Sequence, residues 1–144
     1  MGLVIGVKLV HPKALIPKRQ TKGASGYDLC SCERVSIERE KTESVRLGIC
    51  VELPEGIEMQ IRPRSGLSFC HRVHCLNSPG TIDSDFRGEI MVLLWNHGER
   101  RFVVRPGMRV AQAVFSAVPV IEVREVDVLS QTGRGAGGFG STGL

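Results

Sequence analysis

An all-β fold, of the sandwich, jelly-roll or barrel kind, is what this sequence predicts. Three features predict it. Short runs rich in Val, Ile and Leu recur along the chain. Gly, Pro, Asn or Asp interrupts them about every eight to twelve residues, and a long amphipathic helix is missing. With 144 residues, the chain has the size of one domain with a self-sufficient core. Hydrophobic residues make up 42% and charged residues 24%, the balance of an ordinary soluble globular protein. Nothing approaches the roughly 18 consecutive apolar residues of a membrane span. The N-terminal stretch Met1–Lys8 lacks the charged start, long apolar run and cleavage site of a signal peptide.

In chain order, strands are expected at Val4–Val10, Val45–Leu53, Ile57–Ile61, Ile90–Trp95, Phe102–Val104, Val110–Phe115 and Val118–Val126. Alternation in Val110–Phe115 puts Val110, Gln112 and Val114 on one face, and Trp95 reads as core. Turns are marked by Pro54-Glu55-Gly56, Asn77–Gly80, Asn96-His97-Gly98 and Arg105-Pro106-Gly107. In each, Pro presets φ or Gly takes the strained corner. One or two helical turns are expected at Ser65–Cys70, after Pro63. Beyond about Ser130 the periodicity stops and Gly, Ser and Thr take over. The expected organisation is therefore a β domain over 1–130 and a mobile C-terminal arm over 131–144.

The net charge is +4 and the pI about 9.0, but Arg and Lys are dispersed, with no basic block of the kind that marks nucleic-acid tails. Neither nucleic acid nor a membrane is expected as a partner. Five cysteines occur without a CxxC and with no His at zinc-ligand spacing, which reads as free thiols in a reducing, cytoplasmic compartment (or a host cell interior if the source is viral). Four histidines, His11, His71, His74 and His97, read as surface or packing positions.

Three segments carry possible chemistry. Arg134–Gly143 includes a formal GxGxxG, yet too few residues follow it to build the helix of a dinucleotide-binding fold. It reads either as a disordered Gly/Ser end or as an arm able to close on a nucleotide, with Phe139 stacking on a base and Arg134 meeting phosphates. Thr81–Glu89 holds Asp83 and Asp85 two residues apart, able to polarise water or hold a metal, or else forming an acidic turn. Pro63–Ser68 offers an Arg, hydroxyls and amides at a helix start, either an anion site or a capped short helix.

Taken together with Ala24–Leu29 and Gly107–Gln112, these segments form an ordered series at suitable separations. The series resembles the five motifs of the homotrimeric dUTP pyrophosphatases, over roughly Tyr27 to Gly143. The resemblance implies a jelly-roll-like β barrel with a Gly-rich C-terminal arm. It implies hydrolysis of dUTP to dUMP and pyrophosphate, in sites to which all three subunits of a homotrimer contribute. One subunit would supply the triphosphate contacts Arg64, Ser65, Gly66 and Gln112, with Asp28 acting through waters or hydrogen bonds to those groups. A second would supply an Asn77–Met91 hairpin, in which Asn77, Thr81, Ile82 and Met91 meet the nucleoside. Within it, Asp83 activates the attacking water and contacts the deoxyribose. A third would lend Arg134, Phe139, Gly140, Ser141 and Thr142. Phe86 stands where many members have Tyr, under the sugar, and a phenyl ring still excludes a 2′-hydroxyl. Mg2+ is the implied cofactor, held by the phosphates and waters with no direct protein ligand.

The nearest alternative is dCTP deaminase, which shares the fold and an Arg-Ser phosphate motif but carries a catalytic Glu close after the hairpin motif. Here Asp83 is followed by Ser-Asp-Phe-Arg-Gly, the pyrophosphatase pattern. A nucleotide-binding module without catalysis would show loss of the Asp, the Arg or the arm, and none is lost.

Overall fold

The computed structural model describes residues 2–141 and 143. Among them are eleven strands and one short helix. The strands are β1 (Gly6–Leu9), β2 (Tyr27–Cys30), β3 (Val35–Ile37), β4 (Thr42–Arg46), β5 (Ile49–Glu52), β6 (Ile57–Arg62), β7 (Val73–Cys75), β8 (Gly80–Ile82), β9 (Met91–Asn96), β10 (Phe102–Val104) and β11 (Arg109–Ala117). The helix α1 spans Ser65–His71. No helix is long and apolar enough to cross a membrane among the described residues.

Four antiparallel sheets wrap one core in a jelly-roll-like barrel: β2-β11-β6-β8, β4-β9-β7, β1-β5 and β10-β3. Apolar side chains from all of them meet inside, among them Leu29, Ile37, Val45, Ile49, Met59, Val92, Leu94 and Val104. Each such buried side chain contributes about 1.5–3 kcal/mol of transfer free energy, so the core rather than any single ladder holds the sheets together. Asn96 is a fully buried polar residue at the end of β9. Its Nδ2 donates to the carbonyls of Ile37 (2.9 Å) and Arg100 (2.8 Å), and its Oδ1 accepts from the Gly98 amide at 2.9 Å. Satisfied in this way, it costs little to bury and fixes the expected Asn96-His97-Gly98 turn.

Several strands depart from the expectations. The run Val45–Leu53 is two strands, because Leu47 and Gly48 carry the chain from one sheet to another. Gly48 has φ +69°, and a Cβ there would lie 2.6 Å from the Cβ of His11. In β11 the register shifts between Arg109 and Ala111, so Val110 and Ala111 are both buried. That bulge leaves Ala113 inward and Gln112 on the opposite face, so Val110 does not share a face with Gln112. Trp95 is half-buried outside the core, with its ring centroid 5.4 Å from that of His74 and 5.0 Å from that of His97.

The strand expected over Val118–Val126 does not form, since β11 ends at Ala117. The Val118 amide still donates to the Gly56 carbonyl at 2.8 Å. Pro119 then has no amide proton to continue a ladder. Beyond it Val120, Ile121, Val123, Val128 and Leu129 are exposed.

Candidate active site

The antiparallel ladders of the four-stranded sheet place Gln112 of β11 opposite both Asp28 of β2 and Arg62 of β6. Cross-strand partners share a face, so these three polar side chains form one row on the outer side of the sheet. The next row follows the same rule, with Gln60 opposite Thr81 of β8.

Asp28 sits at the centre of a charge network and its side chain is only 14% exposed. Its Oδ1 accepts from Arg64 Nε at 3.1 Å, and its Oδ2 accepts from Arg109 Nη1 at 3.1 Å. Arg64 Nη1 also donates to the Arg109 carbonyl at 3.2 Å. The carboxylate is thus spent on holding two guanidinium groups side by side. Two adjacent cations would repel each other without it, and together they keep several N–H donors free for an anion.

Beside this network a cleft of about 480 Å3 is lined by Gln60, Arg62, Pro63, Ser65, Ser68, Ser78, Pro79 and Gln112. Gln112 Nε2 donates to the Pro63 carbonyl at 2.9 Å, which ties β11 to the loop entering α1. The start of α1 has no side-chain cap, and no acidic residue lies in its first turn. Ser65 and Gly66 are exposed there, and a Cβ on Gly66 would meet nothing within 4 Å. Gly26, just before β2, lies under Gln112. A Cβ there would stand 2.0 Å from Gln112 Oε1.

The expected Asn77–Met91 hairpin is split between two sheets. β8 pairs only with β6, whereas β9 pairs with β4 and β7. Asn77 packs over Gly80, where a Cβ would come within 3.3 Å of its Nδ2. Thr81 and Asp83 are exposed and Ile82 is half-buried. Met91 is exposed, with its Sδ accepting from Ser44 Oγ at 3.3 Å. Between the strands runs a compact loop. Its first turn is closed by the Phe86 amide donating to the Asp83 carbonyl at 3.2 Å. Its far end is anchored by Glu89, whose carboxylate accepts from Arg46 Nε and Nη2 (2.9–3.2 Å) and from the Gly48 amide at 3.1 Å. The Arg46 hydrogen bond, foremost, holds the Glu89 carboxyl below its ordinary value.

The arm residues do not join this group within one chain. No hydrogen bond or ion pair links the arm beyond Val118 to the barrel among the described residues. Arg134 Nε donates to the Gly137 carbonyl at 2.8 Å, while Phe139 is fully exposed. The Gly140 turn has φ +85°, and the Ser141 amide bonds the Gly138 carbonyl at 3.0 Å. Thr142 lies outside the described residues.

Arg109, Arg62, Gly26 and the Arg46–Glu89 pair were not singled out by sequence reasoning. Arg109 lies inside the motif segment Gly107–Gln112 and Gly26 inside Ala24–Leu29, and that placement is the signal the sequence holds for them. Arg46 meets Glu89 across 43 residues, and nothing local marks that pair.

The chain matches the dUTPase family model over residues 12–143. It is 49% identical over 140 residues to the deoxyuridine 5′-triphosphate nucleotidohydrolase of Helicobacter pylori strain P12, covering 97% of each chain. It superposes with a TM-score of 0.91 on the Staphylococcus bacteriophage 80alpha dUTPase solved with dUPNHPP, at 25% identity, covering 98% of this chain and 99% of that one. A mutant dUTPase of S. aureus phage phi11, whose structure details the coordination of a structural Mg(II) ion, shares the fold. Its TM-score is 0.82 at 21% identity, with 89% of this chain and 99% of that one covered. A family match spanning nearly the whole chain makes this chain a member of the dUTPase family.

Proposed function

We propose that this dUTPase hydrolyses dUTP to dUMP and pyrophosphate by attack of water on the α-phosphorus, in sites shared among three copies of the chain. The observation that carries the reading is the Asp28-clamped pair of arginines beside the Ser65–Gln112 cleft. Such an array suits the charge of a triphosphate and costs no reorganisation when the phosphates arrive. Arg64, Ser65, Gly66 and Gln112 hold the phosphates, and Asp28 orients the guanidinium groups and waters around them. Asn77, Thr81, Ile82 and Met91 of a second copy receive the uracil and sugar, and Phe86 leaves no room for a 2′-hydroxyl. From a third copy, Phe139 stacks on the base while Arg134, Gly140, Ser141 and Thr142 close over the phosphates. In this arrangement residues 1–130 form the catalytic barrel and 131–144 the closing arm.

Asp83 takes the proton of the attacking water as its oxygen bonds to the α-phosphorus. The bond to the α,β-bridging oxygen breaks, and pyrophosphate leaves with that electron pair. Positioning and charge stabilisation supply most of the acceleration in such transfers. Both oxygens of Asp28 are committed to arginines. That engagement suits a Mg2+ ion carried by the substrate's phosphates and waters, where it would neutralise phosphate charge. The product dUMP feeds thymidylate synthesis, and removal of dUTP keeps uracil out of DNA.

Assembly with further copies is favoured by the segment between β11 and the arm, whose exposed Val120, Ile121, Val123, Val128 and Leu129 call for cover. Five free cysteines suit a reducing interior, cytoplasmic or that of a host cell.

The test is pyrophosphate release from dUTP, dTTP, dCTP and UTP with magnesium, using wild type beside Asp83→Asn. Release from dUTP alone, lost in the variant, is the expected result. A folded assembly that releases none from dUTP sinks the enzyme reading.

A further inference from the structure

Asp83 and Phe86 occupy one exposed loop between strands of different sheets, so no ladder holds either of them. A loop of that kind samples many conformations unless something braces it. The brace visible here is Arg87. Its Nη1 folds back over the turn and donates to the carbonyls of Ser84, at 2.7 Å, and of Phe86, at 3.0 Å. The Ser84 carbonyl lies inside, and the Phe86 carbonyl at the end of, the turn that Phe86 N closes onto the Asp83 carbonyl. The guanidinium therefore fixes the Ser84–Asp85 peptide plane within that turn and the Phe86–Arg87 plane that directly follows the Phe86 side chain. It also lines a groove with Lys8, Cys50 and Glu52, against the β1-β5 sheet. Gly88 completes the arrangement. A Cβ there would lie 2.5 Å from Phe86 Cζ and 3.0 Å from its Cε2, so the ring rests on the bare glycine backbone.

We propose that Arg87 is a positioning residue. By clamping the Ser84 and Phe86 carbonyls it holds the Asp83 carboxylate at the attacking water and the Phe86 ring under the sugar. This rests on the roles given above to Asp83 and Phe86 and adds the residue that couples them. An arginine suits the task because the planar guanidinium sets the directions in which Nη1 donates to the two carbonyls, whereas a lysine ammonium rotates freely on its flexible stem. Arg87 is exposed and buries no apolar surface of the core, so its loss leaves the barrel standing.

The experiment compares wild type, Arg87→Ala, Arg87→Lys and Gly88→Ala, with Asp83→Asn alongside. It reads kcat and KM for dUTP, the preference for dUTP over UTP, the thermal midpoint and the assembly mass. Misplacing a reacting group by about an ångström costs about 100-fold, so Arg87→Ala is expected to lose about 10- to 100-fold in kcat. Its KM, midpoint and mass should stay close to wild type while the preference over UTP narrows. Arg87→Lys should recover part of kcat. Gly88→Ala displaces the ring alone and should narrow the preference more than it lowers kcat. Unchanged kcat and preference in Arg87→Ala would overturn the proposal, as would a loss of kcat accompanied by a lower midpoint or a broken assembly. A wild type inert toward dUTP removes the Asp83 assignment and this inference with it. An active wild type with a dead Asp83→Asn and a normal Arg87→Ala removes the inference alone.

Discussion

Replacing Gly26 with alanine tests the proposed phosphate cleft through a residue to which no phosphate contact is assigned. The added methyl would stand 2.0 Å from Gln112 Oε1, 2.9 Å from Cδ and 3.3 Å from Cβ. The contact to Cβ relaxes with a shift of a few tenths of an ångström. The other two cannot, and the Gln112 amide must swing away. In doing so it breaks the 2.9 Å bond from Nε2 to the Pro63 carbonyl, a net loss of about 1 kcal/mol. For a chain of this size that lowers the thermal midpoint by about 2–4 °C. The larger effect falls on the substrate. A hydrogen bond to a charged phosphate is worth about 1.5–3 kcal/mol, so displacing the amide raises KM for dUTP by about 10- to 150-fold. On the role proposed for Gln112, which grips the phosphates before and during reaction alike, kcat should change far less than KM. Pyrophosphate release at graded dUTP measures both. Gly23→Ala is the control, because a Cβ there meets nothing within 4 Å. A Gly26→Ala enzyme with lowered midpoint and wild-type KM would refute the assignment of Gln112 to the substrate.

Glu89→Gln removes the acceptor that Arg46 and the Gly48 amide share, and should lower the midpoint by about 2–4 °C near neutrality. Because Arg46 holds the folded Glu89 carboxyl below its ordinary value, this stabilisation is complete above a pH of about 4.3. It fades as the pH falls through the lower folded value, so the midpoints of wild type and variant should converge in acid. A constant gap down to low pH would contradict the assignment. Removing residues 131–144 should abolish most dUTP turnover yet leave the midpoint of the barrel unchanged, as calorimetry can show, because the described arm makes no hydrogen bond to it. Thiol labelling near pH 8 should modify the exposed Cys70 first. Burial pushes the Cys75 thiol up to about 11, so Cys75 should stay unlabelled until the protein unfolds, and peptide mapping of the label reads the order.

The sequence by itself determined the all-β class, the dense strands β6 and β9–β11 and the short helix at Ser65. Apolar runs, Gly and Pro turns and a helix start are local signals. It also determined which residue types are available for phosphate and sugar, since motif order and spacing survive without coordinates. What only the tertiary structure decided is how distant segments pair. Strands β2, β3, β7 and β8 have three or four residues each and carry too little pattern to stand out alone. They exist because β11, β10, β9 and β6 offer them an edge. The break at Gly48 follows from the close approach of His11, and the outward turn of Gln112 from a bulge against β2. The meeting of Asp28 with Arg64 and Arg109 spans 36 and 81 residues, beyond any periodicity. Val118–Val126 shows the converse. Its residues have the β-branched character of a strand, but a strand needs a neighbour's amides and carbonyls, and β11 stops at Ala117. Local chemistry sets what a segment can become, and non-local hydrogen bonding and burial select which of those outcomes occurs.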